Sequence, residues 1–244
     1  MGGSSKGSSY ERDLARRFSL HFSGGEADDW FWRTSGSGSR ATNLAAAGKN
    51  LTHLQNGDMA PIRPEGVPLC EIFSFEFKSY SGIDMHGVFH TVSPERSLIS
   101  FWAKCVRDAE ASGRVPAMVT KVNRGVSILW VPVRLLSLLS QYGWHISCDR
   151  ALQFWFPAIE VVTKRTYPRR RKVKGKKVAK AKKGKGTPRL EKYTFPEPQH
   201  VVGIALETVL AQLTKPDKVV EALTANFSSL PVPRRKDHAH DGPT

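Results

Sequence analysis

Acidic side chains are missing from one long stretch of this chain: between residues 164 and 189 there are 14 basic residues and no Asp or Glu. Cysteine is scarce too. Cys70, Cys105 and Cys148 are the three present, widely spaced and in no Cys-x-x-Cys pair, which excludes a disulfide framework and a thiolate zinc site and leaves reduced, mostly buried thiols. No apolar run approaches the ~20 residues needed to cross a bilayer, and the Gly/Ser-rich beginning has no apolar stretch of the signal-peptide kind. The expectation is a cytoplasmic protein with no membrane partner. No internal repeat is visible, and no Ser or Cys has a His/Asp partner at a spacing that would suit nucleophilic hydrolysis.

With 244 residues, 40% of them hydrophobic, the chain can form one sizeable domain with appendages, or at most two small domains. Its net charge of +15 is localised. The acid-free segment holds Lys164, Arg165, Arg169, Arg170, Arg171, Lys172, Lys174, Lys176 and Lys177 and continues to Arg189, leaving 23 basic against 22 acidic residues elsewhere. Its lysines alternate with Gly, Ala and Val in no period that buries a face, so residues 163–192 are expected to form a disordered basic arm. Such an arm neutralises phosphates and gives salt-sensitive, sequence-independent affinity, which makes DNA the expected partner. A solvated tail or a localisation signal is the plainer reading of the same charges.

Residues 1–9 read as a flexible leader. A helix follows to about Phe22, with Tyr10, Leu14, Phe18 and Phe22 on its buried stripe. Trp30 to Thr34 reads as a short strand whose tryptophans pack, and Ser35 to Arg40 as a flexible loop. Asp58 to Arg63 and Leu69 to Tyr80 read as two strands of a hairpin closed by the turn Pro64 to Pro68. Ser93-Pro94-Glu95 marks a helix start and Gly113 its end, with Leu98, Phe101, Trp102, Cys105, Val106 and Ala109 inside. Met118–Val122 and Val126–Val133 form a hairpin about Asn123-Arg124-Gly125. Leu135–Tyr142 is a short helix and Leu152–Val162 a strand. Val201–Leu213 and Pro216–Phe227 are expected as two helices of a C-terminal extension over 193–230, with 231–244 disordered.

The chemistry concentrates in Ser74-Phe75-Glu76-Phe77-Lys78. Strict alternation sends the phenylalanines to a core face and places Glu76 and Lys78 together on the other, with Asp58 brought alongside by the hairpin. Two carboxylates and an ammonium suit phosphodiester cleavage: the acids hold Mg²⁺, and the amine steadies an attacking water or the charge on phosphorus. Glu11 has two readings. It stands three residues after Ser8, the spacing of a capping box, and it lies one step from the buried stripe, where it would point toward the metal site. Arg33 and Arg40 flank the flexible loop, and Lys121 and Arg124 end a strand beside the site; all four are candidate phosphate contacts. His86 and His90 have ligand-like spacing but fall in a Gly-containing loop, which favours a solvated turn.

The order helix, three strands, helix, strand, with Gly57-Asp58 and then Glu76-Phe77-Lys78, resembles the PD-(D/E)xK nuclease superfamily. The likeness runs over residues 8 to 133. Within the superfamily it is nearest the Holliday junction resolvase-like and phage-encoded endonuclease branch, through Glu11, Arg33-Thr34-Ser35-Gly36-Ser37 and the two acidic motifs. Its first acid follows glycine rather than proline, and the spacing from the serine loop to Asp58 is longer than in the compact archaeal resolvases. The resemblance implies an α/β (α+β) restriction-endonuclease-like core over residues 10–162, a mixed central sheet flanked by helices. It also implies that Asp58 and Glu76 ligate Mg²⁺ or Mn²⁺ with help from a carbonyl near Phe77, and that Lys78 orients or deprotonates the water. Glu11 would be an outer acid, and Ser35 or Ser37 would approach the scissile phosphate. A homodimer cutting paired strands in a bacterial or phage-infected cell would follow. The other reading is a non-catalytic DNA-binding or architectural protein acting through its arm.

Overall fold

Phe73, Phe75 and Phe77 turn one face of their strand into an apolar wall, and a helix is laid against it. The computed structural model describes residues 3–34, 54, 57–86, 96–146, 151–156, 160–166, 188–195, 198–213 and 216–233. In chain order the first half comprises α1 (Gly3–Phe22), β1 (Phe31–Arg33), β2 (Met59–Pro61), α2 (Val67–Ile72), β3 (Phe73–Tyr80), α3 (Leu98–Ser112), β4 (Val115–Val122) and β5 (Ser127–Pro132). The second half comprises α4 (Val133–Gln141), β6 (Leu152–Phe156), β7 (Glu160–Thr166), β8 (Pro188–Thr194), β9 (Gln199–Ala205), α5 (Leu206–Gln212) and α6 (Pro216–Ala225).

Five strands form the central sheet in the order β3-β4-β5-β9-β6. β3 and β4 are parallel, joined through α3, and the remaining pairs are antiparallel, so the sheet is mixed as expected. Each face carries its own core. On one side α1 sets Tyr10, Leu14 and Phe18 against the phenylalanine face of β3, the Phe18 ring 5.2 Å from that of Phe75. On the other, Leu98, Phe101, Trp102, Cys105 and Val106 of α3 pack on Met118, Trp130 and Val201. Each large apolar side chain fully buried in this way contributes about 1.5–3 kcal/mol.

Several expectations give way here. Asp58–Arg63 and Leu69–Tyr80 do not form a hairpin: β2 pairs with β1 instead, Trp32 opposite Ala60. Pro68 sits in the first turn of α2, and Leu69, Cys70 and Ile72 bury on one helical side, so the long strand expected from Leu69 begins only at Phe73. Val201–Leu213 is half strand. The run Val201-Val202-Gly203-Ile204 is buried on both sides within the sheet, which erases the alternation that would have marked it as β. Gly203 is required there because a Cβ would stand 2.4 Å from the Trp130 ring. The 193–230 extension is therefore not all helical, since β9 lies inside the central sheet.

The leader expected over 1–9 is shorter, because α1 continues back to Gly3, each added residue needing only one more hydrogen bond once the stripe is docked. The helix expected from Ser93 starts at Leu98, capped by Ser97, whose hydroxyl accepts from the Ser100 N–H at 3.3 Å. Leu152–Val162 is split between β6 and β7, which belong to different sheets. Residues 163–166 and 188–192, expected in a disordered arm, lie in β7 and β8, an antiparallel ribbon whose last paired residues are Thr166 and Pro188. Ladder hydrogen bonds between the two strands hold the backbone of these residues.

Candidate active site

β3 is an edge strand, and the dipeptide Gly57-Asp58 docks on its free side. Gly57 adopts φ 98°, a left-handed conformation in which a Cβ would lie 2.6 Å from the Phe75 carbonyl oxygen, so no larger residue fits. That close approach lets the Asp58 N–H donate to the Phe75 oxygen at 2.7 Å. Thr34, at the end of β1, holds the other side: its N–H donates to the Asp58 carbonyl at 3.1 Å and its hydroxyl to the Gly57 carbonyl at 2.7 Å. The carboxylate then completes the edge, Oδ2 accepting the Phe77 N–H at 2.7 Å.

Glu76 points to the opposite face from the phenylalanines, as alternation requires, but that face is not open. α3 covers it, leaving Glu76 2% exposed and Asp58 4% exposed. Buried charge on this scale needs compensation, and two lysines supply it. Lys78 forms an ion pair with Glu76 Oε1, its Nζ standing 3.9 Å from Asp58 Oδ2 and 3.4 Å from the Phe77 carbonyl oxygen. Lys104 of α3 reaches across to Glu76 Oε2 at 2.6 Å while also bonding Asp108, four residues along the same helix, at 2.9 Å.

Protonation follows from this packing. Burial, and then the Glu76 charge, push Asp58 up to about 6, against the opposing pull of Lys78, Lys104 and the Phe77 N–H. Burial would raise Glu76 as well, but the two lysines outweigh it and hold the carboxyl down to about 2. Burial disfavours the charged form of Lys78, yet Glu76 and Asp58 reverse that and raise its pKa; Glu76 and Asp108 do the same for Lys104. At neutral pH both amines are ammonium groups.

The donor set tests the fit to a cation. Two carboxylates and the Phe77 carbonyl, all oxygen, suit a hard divalent ion such as Mg²⁺ or Mn²⁺, and the ammonium groups already concentrate positive charge on the same oxygens. Among the described residues no three His, Cys, Asp or Glu side chains converge, so the acidic set here is a pair.

Glu11 pairs with Arg33, whose Nε donates to Oε2 at 2.9 Å, so the outer acid of the sequence reading is engaged by β1; Ser8 lies inside α1, and the capping box expected of Ser8 and Glu11 gives way to this ion pair. Lys121 lies over the Tyr10 ring, Nζ 5.7 Å from its centroid, and the Tyr10 hydroxyl donates to Ser127 at 3.1 Å. Arg124 takes φ 61° at the tip of the β4–β5 turn. Lys164 and Arg165 are residues of β7. Ser35, Ser37, Arg40, His90, Arg169, Arg170, Arg171, Lys172, Lys174, Lys176 and Lys177 lie outside the described residues. The His86 N–H donates to Asp84 Oδ1 at 2.8 Å, closing a local turn. Trp102 is core, whereas Trp32 is 49% exposed despite the packing expected of it.

Lys104 and Asp108 were not found from the sequence. Their signal was a lysine bordering the apolar stripe of a helix, with an acid at i+4; nothing local says that this helix crosses the strand bearing Glu76.

No helix among the described residues is long and apolar enough to cross a membrane. Neither curated proteins nor solved structures give a match to this chain. Among protein families, residues 2–146 match the one described as "Phage putative PDDEXK endonuclease". That span is more than half of the chain and contains Glu11, Asp58, Glu76, Lys78 and Lys104. With its mixed sheet flanked by helices and its acidic pair at the edge strand, the chain belongs to this phage-type PD-(D/E)xK nuclease family.

Proposed function

We propose that the chain is a metal-dependent DNA endonuclease that hydrolyses phosphodiester bonds, with Mg²⁺ as its ion and Mn²⁺ as a substitute. The observation that carries this reading is the buried pair Asp58 and Glu76 with the Lys78 ammonium set against both. Asp58, Glu76 and the Phe77 carbonyl would hold the cation. When bound, it supplies Lewis-acid stabilisation of charge on the phosphoryl oxygens.

The chain's own groups do the rest. The Phe77 N–H and the Gly57 turn fix the direction of the Asp58 carboxylate, so no reorganisation is needed when substrate arrives. Lys78, an ammonium in this site, donates hydrogen bonds to the attacking water or to a phosphate oxygen; in that charge state its contribution is electrostatic rather than basic. Arg33, Lys121, Arg124 and the basic segment from Lys164 onward would carry the DNA backbone.

Branched or recombination-intermediate DNA is the proposed substrate, cut by a two-fold homodimer, on the resemblance carried by Arg33-Thr34-Ser35-Gly36-Ser37 and the acidic motifs. A second reading has one observation in its favour: both Glu76 oxygens are already engaged by lysines, as in a structural ion cluster. In that case the chain would bind DNA without cutting it.

One experiment separates the readings. Labelled duplex, nicked, forked and four-way DNAs are incubated with Mg²⁺, Mn²⁺ or EDTA, using the natural protein, Asp58→Ala and Glu76→Ala. Metal-dependent cleavage, greatest on the four-way or forked DNA and absent from both variants, supports the endonuclease. Equal activity in all three proteins, or binding without cleavage in every condition, removes it.

A further inference from the structure

Lys104 has a role that the two-acid reading of the site does not include. Its ammonium is shared: 2.6 Å from Glu76 Oε2 and 2.9 Å from Asp108 Oδ2. Glu76 is at the floor of the site, 2% exposed, whereas the Asp108 side chain is 28% exposed, one helical turn further along α3. Lys78 already neutralises the other oxygen of Glu76. A divalent cation that binds Glu76 therefore meets two ammonium groups on its ligand, and electrostatics disfavours keeping all three positive centres on one carboxylate.

We propose that Lys104 is an internal counter-ion for the metal-free site, which a divalent cation displaces onto Asp108. The proposal rests on Asp58 and Glu76 being the metal ligands. Without the cation, Lys104 compensates the charge of Glu76, which otherwise would stand half-paired beneath α3. As the cation enters, the long side chain gives up its bond to Oε2 and keeps the one to Asp108, a bond already made, so the ammonium is never left without a partner. Metal binding and the Lys104–Glu76 pair thus exclude each other, and Asp108 lowers the cost of exchange. Lys104 is a positioning residue in this scheme, acting through Glu76 and Asp108.

Metal binding itself supplies the readout. Mn²⁺ affinity is measured by calorimetry, and thermal unfolding is followed with and without Mn²⁺, for the natural protein, Lys104→Met, Asp108→Asn, the double variant and Asp58→Ala. Lys104→Met is expected to unfold at lower temperature without metal, yet to bind Mn²⁺ roughly tenfold more tightly, the order of coupling between two ligands competing for one group. Asp108→Asn is expected to bind Mn²⁺ several-fold more weakly, and this loss should vanish when Lys104 is already Met.

That non-additivity is the decisive result. A mere effect of nearby charge would make Asp108→Asn weaken binding equally in both backgrounds, which overturns the proposal. Unchanged or weaker Mn²⁺ affinity in Lys104→Met, with Asp58→Ala abolishing binding, overturns it too while leaving the two-acid site intact. If Lys104→Met does not fold, unchanged affinity in Asp108→Asn is the overturning result. If the natural protein binds no more Mn²⁺ than Asp58→Ala, the site reading fails as well.

Discussion

The Phe77 N–H donates to Asp58 Oδ2 at 2.7 Å, so a side-chain carboxylate takes the place on the sheet edge that a neighbouring strand's carbonyl would fill. One bond thereby completes the edge of β3 and aims the first acid at the second. The precision of the site is borrowed from the regularity of the sheet.

Gly57→Ala tests how much that placement depends on backbone geometry. The new methyl would meet the Phe75 carbonyl at 2.6 Å in a left-handed conformation, and the carbonyl cannot retreat without losing the Asp58 N–H. A destabilisation of about 1–3 kcal/mol is expected from the strain. Displacing Asp58 by even a fraction of an ångström should lower the cleavage rate more than about tenfold. Urea unfolding and single-turnover cleavage give the two numbers. Natural-like values for both would show that the turn does not set the acid.

Lys78→Met should separate chemistry from binding. Loss of a donor aimed at developing charge is expected to reduce kcat by on the order of 10²- to 10³-fold. DNA affinity in Ca²⁺ should stay within a few-fold, since one amine among the many basic groups of this chain contributes little to backbone attraction. Arginine at this position is not equivalent, because its planar fork cannot occupy the space between Asp58 and Glu76 as a compact ammonium does.

The stability of the metal-free protein should fall as pH rises from 5 to 7. Asp58 titrates near 6 when folded against 3.8 when unfolded, so protonation favours the fold. That contribution is complete below pH 3.8 and lost as pH rises through 6, amounting to on the order of 3 kcal/mol. Glu76 runs the opposite way: lowered to about 2 from 4.5, it stabilises above 4.5, and its effect is lost only as pH falls through 2. The half-buried His21, whose pKa is lowered by its burial, opposes Asp58 over part of the range, so the comparison is made with Asp58→Asn. The urea midpoint of the natural protein should drop relative to that variant between pH 5 and 7; parallel curves would contradict the assignment.

The basic segment should act through charge. Replacing residues 167–187 by a short Gly/Ser turn keeps the β7–β8 ribbon, whose last pair is Thr166 and Pro188, and removes eleven of the fourteen cations. Affinity should fall alike for unrelated DNA sequences. The slope of log K against log salt should shrink by about 0.9 for each phosphate that the shortened protein leaves un-neutralised. A weakening confined to one sequence, or an unchanged slope, would contradict a phosphate-tracking role.

Local chemistry was legible wherever one residue's neighbours in sequence are also its neighbours in space. Alternation around Phe75 and Phe77 put Glu76 and Lys78 on one face, and the stripe Tyr10, Leu14, Phe18 gave the helix that covers the other. β9 was misread because a strand buried on both faces shows no period, and α2 because a proline-led apolar run suits either state. The supposed hairpin failed for a different reason: Asp58 does reach β3, but from its outer edge, with β2 paired elsewhere.

The sequence by itself determined that Glu76 and Lys78 share one face of a strand and that positive charge concentrates after residue 163, because those are properties of residue identity and period-two geometry. Only the tertiary structure decided that the polar face of β3 lies beneath α3, and that Lys104 and Asp108 share the charge of Glu76. That relation joins positions 28 residues apart through the parallel crossover, and no local propensity encodes which face of a helix will meet which strand.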